Sequence, residues 1–158
     1  HCGDIASVDL FEDRLYVAFP QGEQAHLPDV ITPDQIDEKR LLLLEDGHCL
    51  KDHALAACNR PELRAEATMM GTSLHTLVQM VDNGLGITLL PKMAIDAGLL
   101  DNTHIDARPL ASQHPSRTIS LVWRKGSPCE KEFHLLAETL TNIYQKKFKP
   151  LEAASGAA

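Results

Sequence analysis

The side chains most capable of chemical reaction lie in one short segment, Glu45 to Cys58, with the sequence EDGHCLKDHALAAC. Cys49 directly precedes LKDHALAAC, a stretch whose composition favours a helix. The unpaired amides and the positive dipole end of a helix N-terminus stabilise a thiolate. His48, Lys51 and His53 can add positive charge in the same segment. Cys49 is therefore a candidate reactive thiol.

The spacing between Cys49 and a second cysteine, Cys58, limits whether the two can form a disulfide. Cys58 lies nine residues after Cys49, which in an unbroken α-helix means about 13.5 Å of rise and about half a turn of rotation. A disulfide needs its two Cα atoms within about 7 Å of each other. Joining these cysteines would require the helix to unwind, so oxidation of the pair would act as a conformational switch.

Cysteine spacing alone leaves two other interpretations of this segment open. Buried cysteines are mostly inert apolar residues, so Cys58 can be a core side chain and Cys49 an incidental neighbour of a helix. Zinc is the second alternative, because histidine and cysteine are common zinc ligands. His48, Cys49, His53 and Cys58 lack the paired C-x2-C spacing of a structural zinc site, and we expect no metal.

The composition is that of a soluble globular domain. The chain has 158 residues, of which 44 % are apolar and 23 % charged, which excludes the collagenous and disordered classes. Lysine and arginine number 15 against 22 aspartates and glutamates, and the net charge of −7 gives no field that attracts DNA or an anionic membrane. No apolar run approaches the roughly 20 residues of a membrane-spanning helix.

Cysteine usage indicates the compartment. The chain has four cysteines, which are too few and too widely spread for a secreted disulfide scaffold. We therefore expect a reducing compartment and a cytoplasmic protein. Cys2 and Cys129 have no evident partner in the sequence and are interpreted as structural or incidental.

Apolar periodicity in the first part of the chain alternates between strands and helices, which indicates an α/β fold. Thr32 before Pro33 is a cap and first-turn signal, and four consecutive leucines are typical of a strand covered on both faces. The predicted elements are a strand from Arg14 to Phe19 with a turn at Pro20 to Gly22, a brief helix from Thr32 to about Glu38, a strand from Leu41 to Leu44 and a helix from Leu50 to Cys58.

The same alternation continues to the C-terminal end. The most strongly patterned helix begins after Thr72 or Ser73, whose hydroxyls can cap it, and ends at Asn83 and Gly84. Ser127 precedes a proline and a capping-box glutamate, which predicts a long amphipathic helix that fades near Pro150. The predicted strands run from Gly86 to Leu90, from Ile105 to Leu110 and from Thr118 to Trp123, with a polar loop from Ser112 to Ser116.

Three parts of the sequence together resemble one family of regulators. They are EDGHCL with the second cysteine nine residues after the first, TSLHTLVQMVDNGLGITLLP and RTISLVWRKGSP. In this order, preceded by DLFEDRLYVAF, they resemble the regulatory domain of the OxyR family, the peroxide-sensing members of the LysR-type transcriptional regulators. The motif GHC with the second cysteine is specific to the peroxide sensors, whereas the glycine-containing helix and strand block occurs more widely among LysR regulators.

The resemblance implies a periplasmic-binding-protein-like LysR-type regulatory domain, with two α/β subdomains joined by crossover strands and the sensing site between them. Residues 1–12 would be a remnant of the first subdomain and a crossover, and residues 13–115 the second subdomain with the redox switch. Residues 116–150 would return to the first subdomain, and residues 151–158 would form a disordered tail. Because the chain begins at His1 without methionine, we expect a fragment. The resemblance implies that the first subdomain is incomplete.

The same resemblance implies a redox mechanism in the oxidative stress response. Cys49 would react with hydrogen peroxide, and Cys58 would resolve the product into a reversible disulfide. His48 would position peroxide or help to protonate the leaving hydroxide, and Arg117 would stabilise the thiolate. Asp52 would orient these groups, and a solvent-exposed helix carboxylate is an equally good interpretation of this residue. The resemblance implies no cofactor, no metal and no enzymatic turnover.

Thr72 and Ser73 are candidates for a second role. They start a helix that, by the resemblance, faces the cleft where other LysR regulators bind effectors. Simple N-capping of that helix accounts for both residues equally well and is the preferred interpretation.

The expected partners follow from the resemblance as well. They are a second copy of the chain in a homodimer or homotetramer, promoter DNA through an N-terminal helix-turn-helix missing from this chain, RNA polymerase for an activator, and glutaredoxin or thioredoxin as reductant, with no membrane. Two alternatives stay open: the effector domain of a LysR regulator that responds to a small molecule, and a two-cysteine thiol peroxidase that turns over with a reductant.

Overall fold

A computed structural model of the chain describes residues 4–23, 27–45, 52, 54–56, 70–111 and 116–148. Its strands are β1 (Ile5–Pro20), β2 (Leu41–Leu44), β3 (Met70–Gly71), β4 (Ile87–Pro91), β5 (Ile105–Pro109) and β6 (Ser116–Arg124). Its helices are α1 (Leu74–Asp82), α2 (Lys92–Asp96) and α3 (Glu130–Phe148), with two short 3-10 turns at Pro33–Gln35 and Glu38–Arg40. Residues 52 and 54–56 are also helical. The described elements confirm the predicted α/β class.

The chain divides into two compact units. Unit 1 comprises His1–Glu12 and Thr118–Ala158, and unit 2 comprises Asp13–Arg117. Each boundary falls inside a strand, because β1 and β6 both contribute residues to the two units. Asp13 and Arg117 are thus the first and last residues of unit 2.

Unit 2 contains a mixed sheet with the strand order β3-β2-β4-β1-β5. Strand β2 runs parallel to both β3 and β4, and β1 runs antiparallel to both β4 and β5. All residues of β2 and β4 are buried, because these strands lie inside the sheet and are covered on both faces. The strand predicted from the leucine run is confirmed with its bounds.

Helix α1 covers the central strands and packs against β2, β3 and β4. It ends in a Schellman motif, in which Gly84 adopts a positive φ of 73° and its N–H donates to the Val81 carbonyl at 2.8 Å. The Leu85 N–H donates to the Met80 carbonyl at 3.0 Å and closes the same motif. The predicted helix and its glycine end are confirmed.

The predicted helix from Thr32 to Glu38 is wrong. Two 3-10 turns occupy this region, separated by Ile36 in an extended conformation with φ −83° and ψ 119°. Ile36 is buried in the core, and the next residue, Asp37, caps the second turn by accepting the Lys39 N–H at 3.0 Å. Burying Ile36 and capping at Asp37 both interrupt a continuous helix. Thr32 is nevertheless the N-cap of the first turn, and its N–H donates to Gln35 Oε1 at 2.9 Å.

Other predicted bounds are too short. Strand β1 begins at Ile5 rather than Arg14, because its first half alternates between exposed and half-buried residues and has a weak apolar signal. Strand β6 begins at Ser116 rather than Thr118. No pattern in the sequence indicated β3, which has two residues, or α2, which starts directly after Pro91 and has five.

Unit 1 contains β6 paired with β1, and helix α3. The Lys125 N–H donates to the Asp4 carbonyl at 2.8 Å. The long C-terminal helix is confirmed through Phe148, and the predicted tail at residues 151–158 lies outside the described residues. Ser127 stands ahead of this helix, where its hydroxyl accepts the Cys129 N–H at 3.4 Å. Among the described helices, none has both the length and the apolar character needed to cross a membrane.

Candidate functional site

The predicted redox segment lies largely outside the described residues. Asp52 and residues 54–56 are the described part of the predicted helix, and they are helical. Ala54 and Leu55 are each 3 % exposed, whereas Asp52 is exposed. The predicted residues outside the described part are His48, Cys49, Lys51, His53 and Cys58. Their roles, and that of Asp52, stay predictions.

The topology of unit 2 brings the carboxyl ends of three parallel strands to one edge of the sheet. Strands β3, β2 and β4 are neighbours and run in the same direction, so their carboxyl ends lie at a common edge. The segment with Cys49 follows β2, Thr72 and Ser73 follow β3, and helix α2 follows β4. The carboxyl edge of parallel strands is where α/β proteins most often bind ligands.

Arg117, a predicted site residue, pairs with a buried carboxylate. Its Nη2 lies 2.9 Å and its Nε 3.0 Å from Asp13 Oδ2. The Asp13 side chain is 1 % exposed and that of Arg117 is 24 % exposed. The charge of Arg117 is therefore compensated on one side of its guanidinium by a carboxylate that has no access to water.

The second oxygen of Asp13 reaches helix α2. Asp13 Oδ1 accepts the Met93 N–H at 2.8 Å, at the start of the helix. Pro91, the residue before α2, makes no side-chain cap of its own, so Asp13 supplies the acceptor from another strand. The thioether of Met93 also lies 3.8 Å from Arg117 Nη2. Asp13, Met93 and Arg117 form one connected cluster, called the Asp13 cluster below.

A second ion pair belongs to the same helix. Lys92 Nζ lies 2.6 Å and 2.7 Å from the two carboxylate oxygens of Asp96, one helical turn away. Both side chains are mostly buried, at 17 % and 15 % exposure. The positive charge of Lys92 and the negative charge of Asp96 compensate each other. Lys92 directly precedes Met93 of the Asp13 cluster in the sequence.

Thr72 and Ser73 have a local role. Ser73 is the N-cap of α1, and its hydroxyl accepts the Thr76 N–H at 3.2 Å. The Thr72 hydroxyl lies 3.4 Å from that of Thr76. The N-cap interpretation is confirmed for Ser73, and an effector-binding role for either residue stays a prediction.

Unit 2 also has an apolar cavity of about 420 Å³. Its walls include Val17, Phe19 and Ile36, and one side carries an ion pair between Arg40 and Glu23. The Arg40 guanidinium donates to both Glu23 oxygens at 2.9 Å and 2.7 Å, which raises the pKa of Arg40 above its usual range. No pattern in the sequence indicated this cavity.

Asp13, Met93 and the Lys92–Asp96 pair were not among the site residues predicted from the sequence. The spacing of Lys92 and Asp96 is the i, i+4 interval of a helical ion pair, and this was a usable signal. Asp13 carried no such signal, since its ion-pair partner lies 104 residues away in the sequence.

A protein family matches nearly the whole chain. Residues 3–143 match the LysR substrate binding domain. The chain belongs to the LysR substrate-binding domain family. The predicted family and fold class are confirmed.

Two curated relatives of this LysR domain are regulators. The HTH-type transcriptional regulator EstR of Acinetobacter baylyi is 38 % identical over 136 residues, which cover 85 % of this chain and 44 % of the relative. The hydrogen peroxide-inducible genes activator of Dickeya chrysanthemi is 33 % identical over 148 residues, or 94 % of this chain and 48 % of the relative. The chain spans about half the length of the curated relatives it matches.

Solved structures of LysR regulatory domains resemble the chain as well. The reduced form of the regulatory domain of OxyR2 from Vibrio vulnificus matches with a TM-score of 0.74 and 36 % identity. The match covers 90 % of this chain and 67 % of that one. This finding confirms the predicted likeness to OxyR regulatory domains.

Proposed function

We propose that this LysR domain senses hydrogen peroxide, through a reversible disulfide between Cys49 and Cys58, for a transcription regulator of the oxidative stress response. The observation that carries the proposal is the parallel arrangement of β2 and β4. It brings the carboxyl end of β2, which the Cys49 segment follows in the sequence, to the same edge of the sheet as the helix after β4, which contacts Arg117. The names of the Dickeya and Vibrio relatives support the same function.

The first chemical step is attack of the Cys49 thiolate on one peroxide oxygen. The O–O bond breaks, a Cys49 sulfenic acid forms, and the second oxygen leaves as hydroxide with the electron pair. His48 supplies the proton that turns this hydroxide into water. The positive guanidinium of Arg117 stabilises the attacking thiolate, and Asp52 orients the groups around it.

The second step closes the switch. The thiol of Cys58 loses its proton and attacks the sulfenic sulfur of Cys49, so that an S–S bond forms and water leaves. The two cysteines are together oxidised by two electrons, and one peroxide is reduced to two waters. Glutaredoxin or thioredoxin returns both cysteines to thiols by exchange.

Closing the disulfide changes the fold of unit 2. The nine-residue separation requires the intervening helix to unwind. Ala54 and Leu55 belong to the hydrophobic core, so unwinding withdraws their side chains from the surface they pack against. This rearrangement alters the contacts between copies of the chain in a homodimer or homotetramer. The altered contacts change how the helix-turn-helix binds promoter DNA and how the regulator contacts RNA polymerase.

The test is mass spectrometry after one equivalent of hydrogen peroxide, with thiols blocked and peptides mapped. We expect a Cys49–Cys58 disulfide in the wild type and a trapped Cys49 sulfenic acid in Cys58→Ser. Cys129→Ser is the control, because Cys129 is exposed and lies in unit 1. It should form the same disulfide as the wild type. Unmodified Cys49 in the wild type would reject the proposed function.

A second candidate is an effector domain for a small apolar molecule. The cavity of about 420 Å³ in unit 2 favours it, since ligand pockets are mostly apolar with a few polar groups. EstR, a LysR-domain relative at 38 % identity, does not carry a peroxide name. Fluorescence titration with 1-anilinonaphthalene-8-sulfonate, on the wild type and on the cavity-filling Val17→Phe, tests this candidate. Binding that Val17→Phe abolishes, together with a Cys49 that peroxide leaves unmodified, would favour it over peroxide sensing.

A further inference from the structure

We propose that Asp13 is a positioning residue for the reaction of Cys49 with peroxide, because its carboxylate fixes the orientation of the Arg117 guanidinium. This inference rests on the proposed function and adds a residue to it. Asp13 itself does not contact the reacting atoms in this proposal. It acts through Arg117.

The hydrogen bonds of Asp13 leave its carboxylate one orientation. Oδ1 accepts the Met93 N–H at 2.8 Å, and Oδ2 accepts from Arg117 Nε at 3.0 Å and Nη2 at 2.9 Å. The side chain is 1 % exposed, so water cannot replace these donors. A buried carboxylate is stable only when it is paired and hydrogen-bonded, and this one satisfies both conditions within its cluster.

The geometry also determines which edge of the guanidinium Asp13 uses. A guanidinium has five N–H donors in a rigid, planar fork. Asp13 takes the edge formed by Nε and Nη2, and Met93 Sδ lies 3.8 Å from Nη2. Within the described part of the chain, the hydrogen bonds of the guanidinium go to these two residues. Among the described residues, Nη1 has no hydrogen-bond partner, and the proposed function supplies an anion for it in the Cys49 thiolate.

Orientation matters more than charge in this arrangement. The Asp13–Arg117 pair has no net charge, so its effect on a thiolate depends on which end of the pair faces the sulfur. With the Nη1 edge outward, the thiolate meets the positive end and Asp13 lies behind it. A guanidinium released from Asp13 would sample many directions, and its average stabilisation of the thiolate would fall.

Asp13 is well placed to hold this orientation. It lies on β1, which pairs with β4, and it caps α2, the helix that follows β4 at the common carboxyl edge. Asp13 and Arg117 are also the first and last residues of unit 2. The pair therefore ties the two ends of the unit to the edge of the sheet at which the proposed reaction occurs.

The test compares Asp13→Asn with the wild type in the full chain. Asparagine keeps the size of the side chain and an acceptor for the Met93 N–H, but loses the carboxylate that binds Arg117. We expect oxidation of Cys49 by peroxide to slow by up to about a hundredfold, which is the cost of misplacing a positioned group by about 1 Å. The pH midpoint for alkylation of Cys49 by iodoacetamide should move upward, because the thiolate loses stabilisation.

Three further variants make the result specific. Arg117→Gln should slow oxidation as well, and adding Asp13→Asn to it should cause no further loss, because Asp13 acts through Arg117. Arg117→Lys keeps the charge but loses the fork, and should also be slow. Asp96→Asn is the matched control: it breaks the neighbouring pair with Lys92, also mostly buried, and should oxidise at the wild-type rate. Thermal unfolding of each variant establishes that it is folded.

The outcomes separate the inference from the proposed function. If wild-type Cys49 does not react with peroxide, the proposed function fails and this inference fails with it. If wild-type Cys49 reacts but Asp13→Asn or Arg117→Lys is equally fast, the positioning role alone is wrong. Equal slowing by Asp13→Asn and Asp96→Asn would also overturn it, because general destabilisation would then explain both. If Asp13→Asn does not fold, the rate of Arg117→Lys decides.

Discussion

Gly86 lies directly against the backbone carbonyl of Arg40. A Cβ atom built on Gly86 would collide with the Arg40 oxygen and would also meet the Leu42 side chain at 3.0 Å. The glycine comes just before β4, and Arg40 comes just before β2, the parallel neighbour of β4. The close approach of these two strands, on which the common carboxyl edge depends, therefore requires a residue without a side chain.

Replacing Gly86 with alanine should destabilise unit 2 strongly. We expect Gly86→Ala to lower the free energy of unfolding by about 3 kcal/mol, because backbone atoms must move to admit the methyl group. Gly84→Ala is the matched control, since Gly84 has a φ of 73° but nothing within 4 Å of its Cβ position. Its cost should be about 1 kcal/mol, from the backbone conformation alone. Urea denaturation followed by circular dichroism measures the free energy of unfolding of both variants. Equal losses in the two variants would contradict the collision at Gly86.

The N-cap role of Ser73 predicts a stability effect without a chemical one. Ser73→Ala should cost about 1 kcal/mol, because the Thr76 N–H loses its acceptor, and Ser73→Asn should restore most of it. Peroxide should oxidise Cys49 in both variants at the wild-type rate. Slower oxidation in Ser73→Ala at unchanged stability would instead indicate a role in the site.

Asp34 provides a prediction with a defined pH sign. A hydrogen bond from the Thr32 side chain, helped by a backbone hydrogen bond, lowers the pKa of Asp34 below its usual 3.8. A lowered pKa means that this carboxylate contributes stability above pH 3.8, and that the contribution is lost as the pH falls through the folded pKa. NMR titration should find a midpoint below 3.8, and Thr32→Val should move it upward. An unchanged midpoint in that variant would exclude Thr32 as the cause.

Features that depend on neighbouring residues were predictable from the sequence. The leucines of β2, the cap at Ser73 and the glycine end of α1 all act within a few residues, and all three predictions hold. The failure between Thr32 and Glu38 is also informative. The cap signal was correct there, but burial of Ile36 in the core of unit 2 prevailed over the local helical preference.

The Asp13 cluster was beyond a local analysis. Asp13, Met93 and Arg117 come from three distant parts of the sequence, and the order of strands in the sheet brings them together. The resemblance is the only feature of the sequence that indicates a role for Arg117. Its orientation depends on a carboxylate that no spacing rule connects to it, so the structure was needed to find the positioning residue.

Helix α3 contacts β1 in unit 1 through a stacked pair of aromatic rings. The rings of Tyr144 on α3 and Phe11 on β1 are stacked, with centroids 3.7 Å apart and planes inclined by 5°. The Tyr144 hydroxyl reaches the Glu12 carbonyl at 3.4 Å, which is long for a hydrogen bond of this type. The ring should therefore contribute more to stability than the hydroxyl.

We expect Tyr144→Ala to cost about 2 kcal/mol and Tyr144→Phe less than about 0.5 kcal/mol, because phenylalanine keeps the stacked ring. Trp123, the only tryptophan of the chain, reports unfolding of this unit through its emission, since it is 7 % exposed and packs against Phe133 of α3. Urea titrations of the two variants then compare the contribution of the ring to the free energy of unfolding with that of the hydroxyl. If Tyr144→Phe were as destabilising as Tyr144→Ala, the hydroxyl rather than the stack on Phe11 would hold the helix.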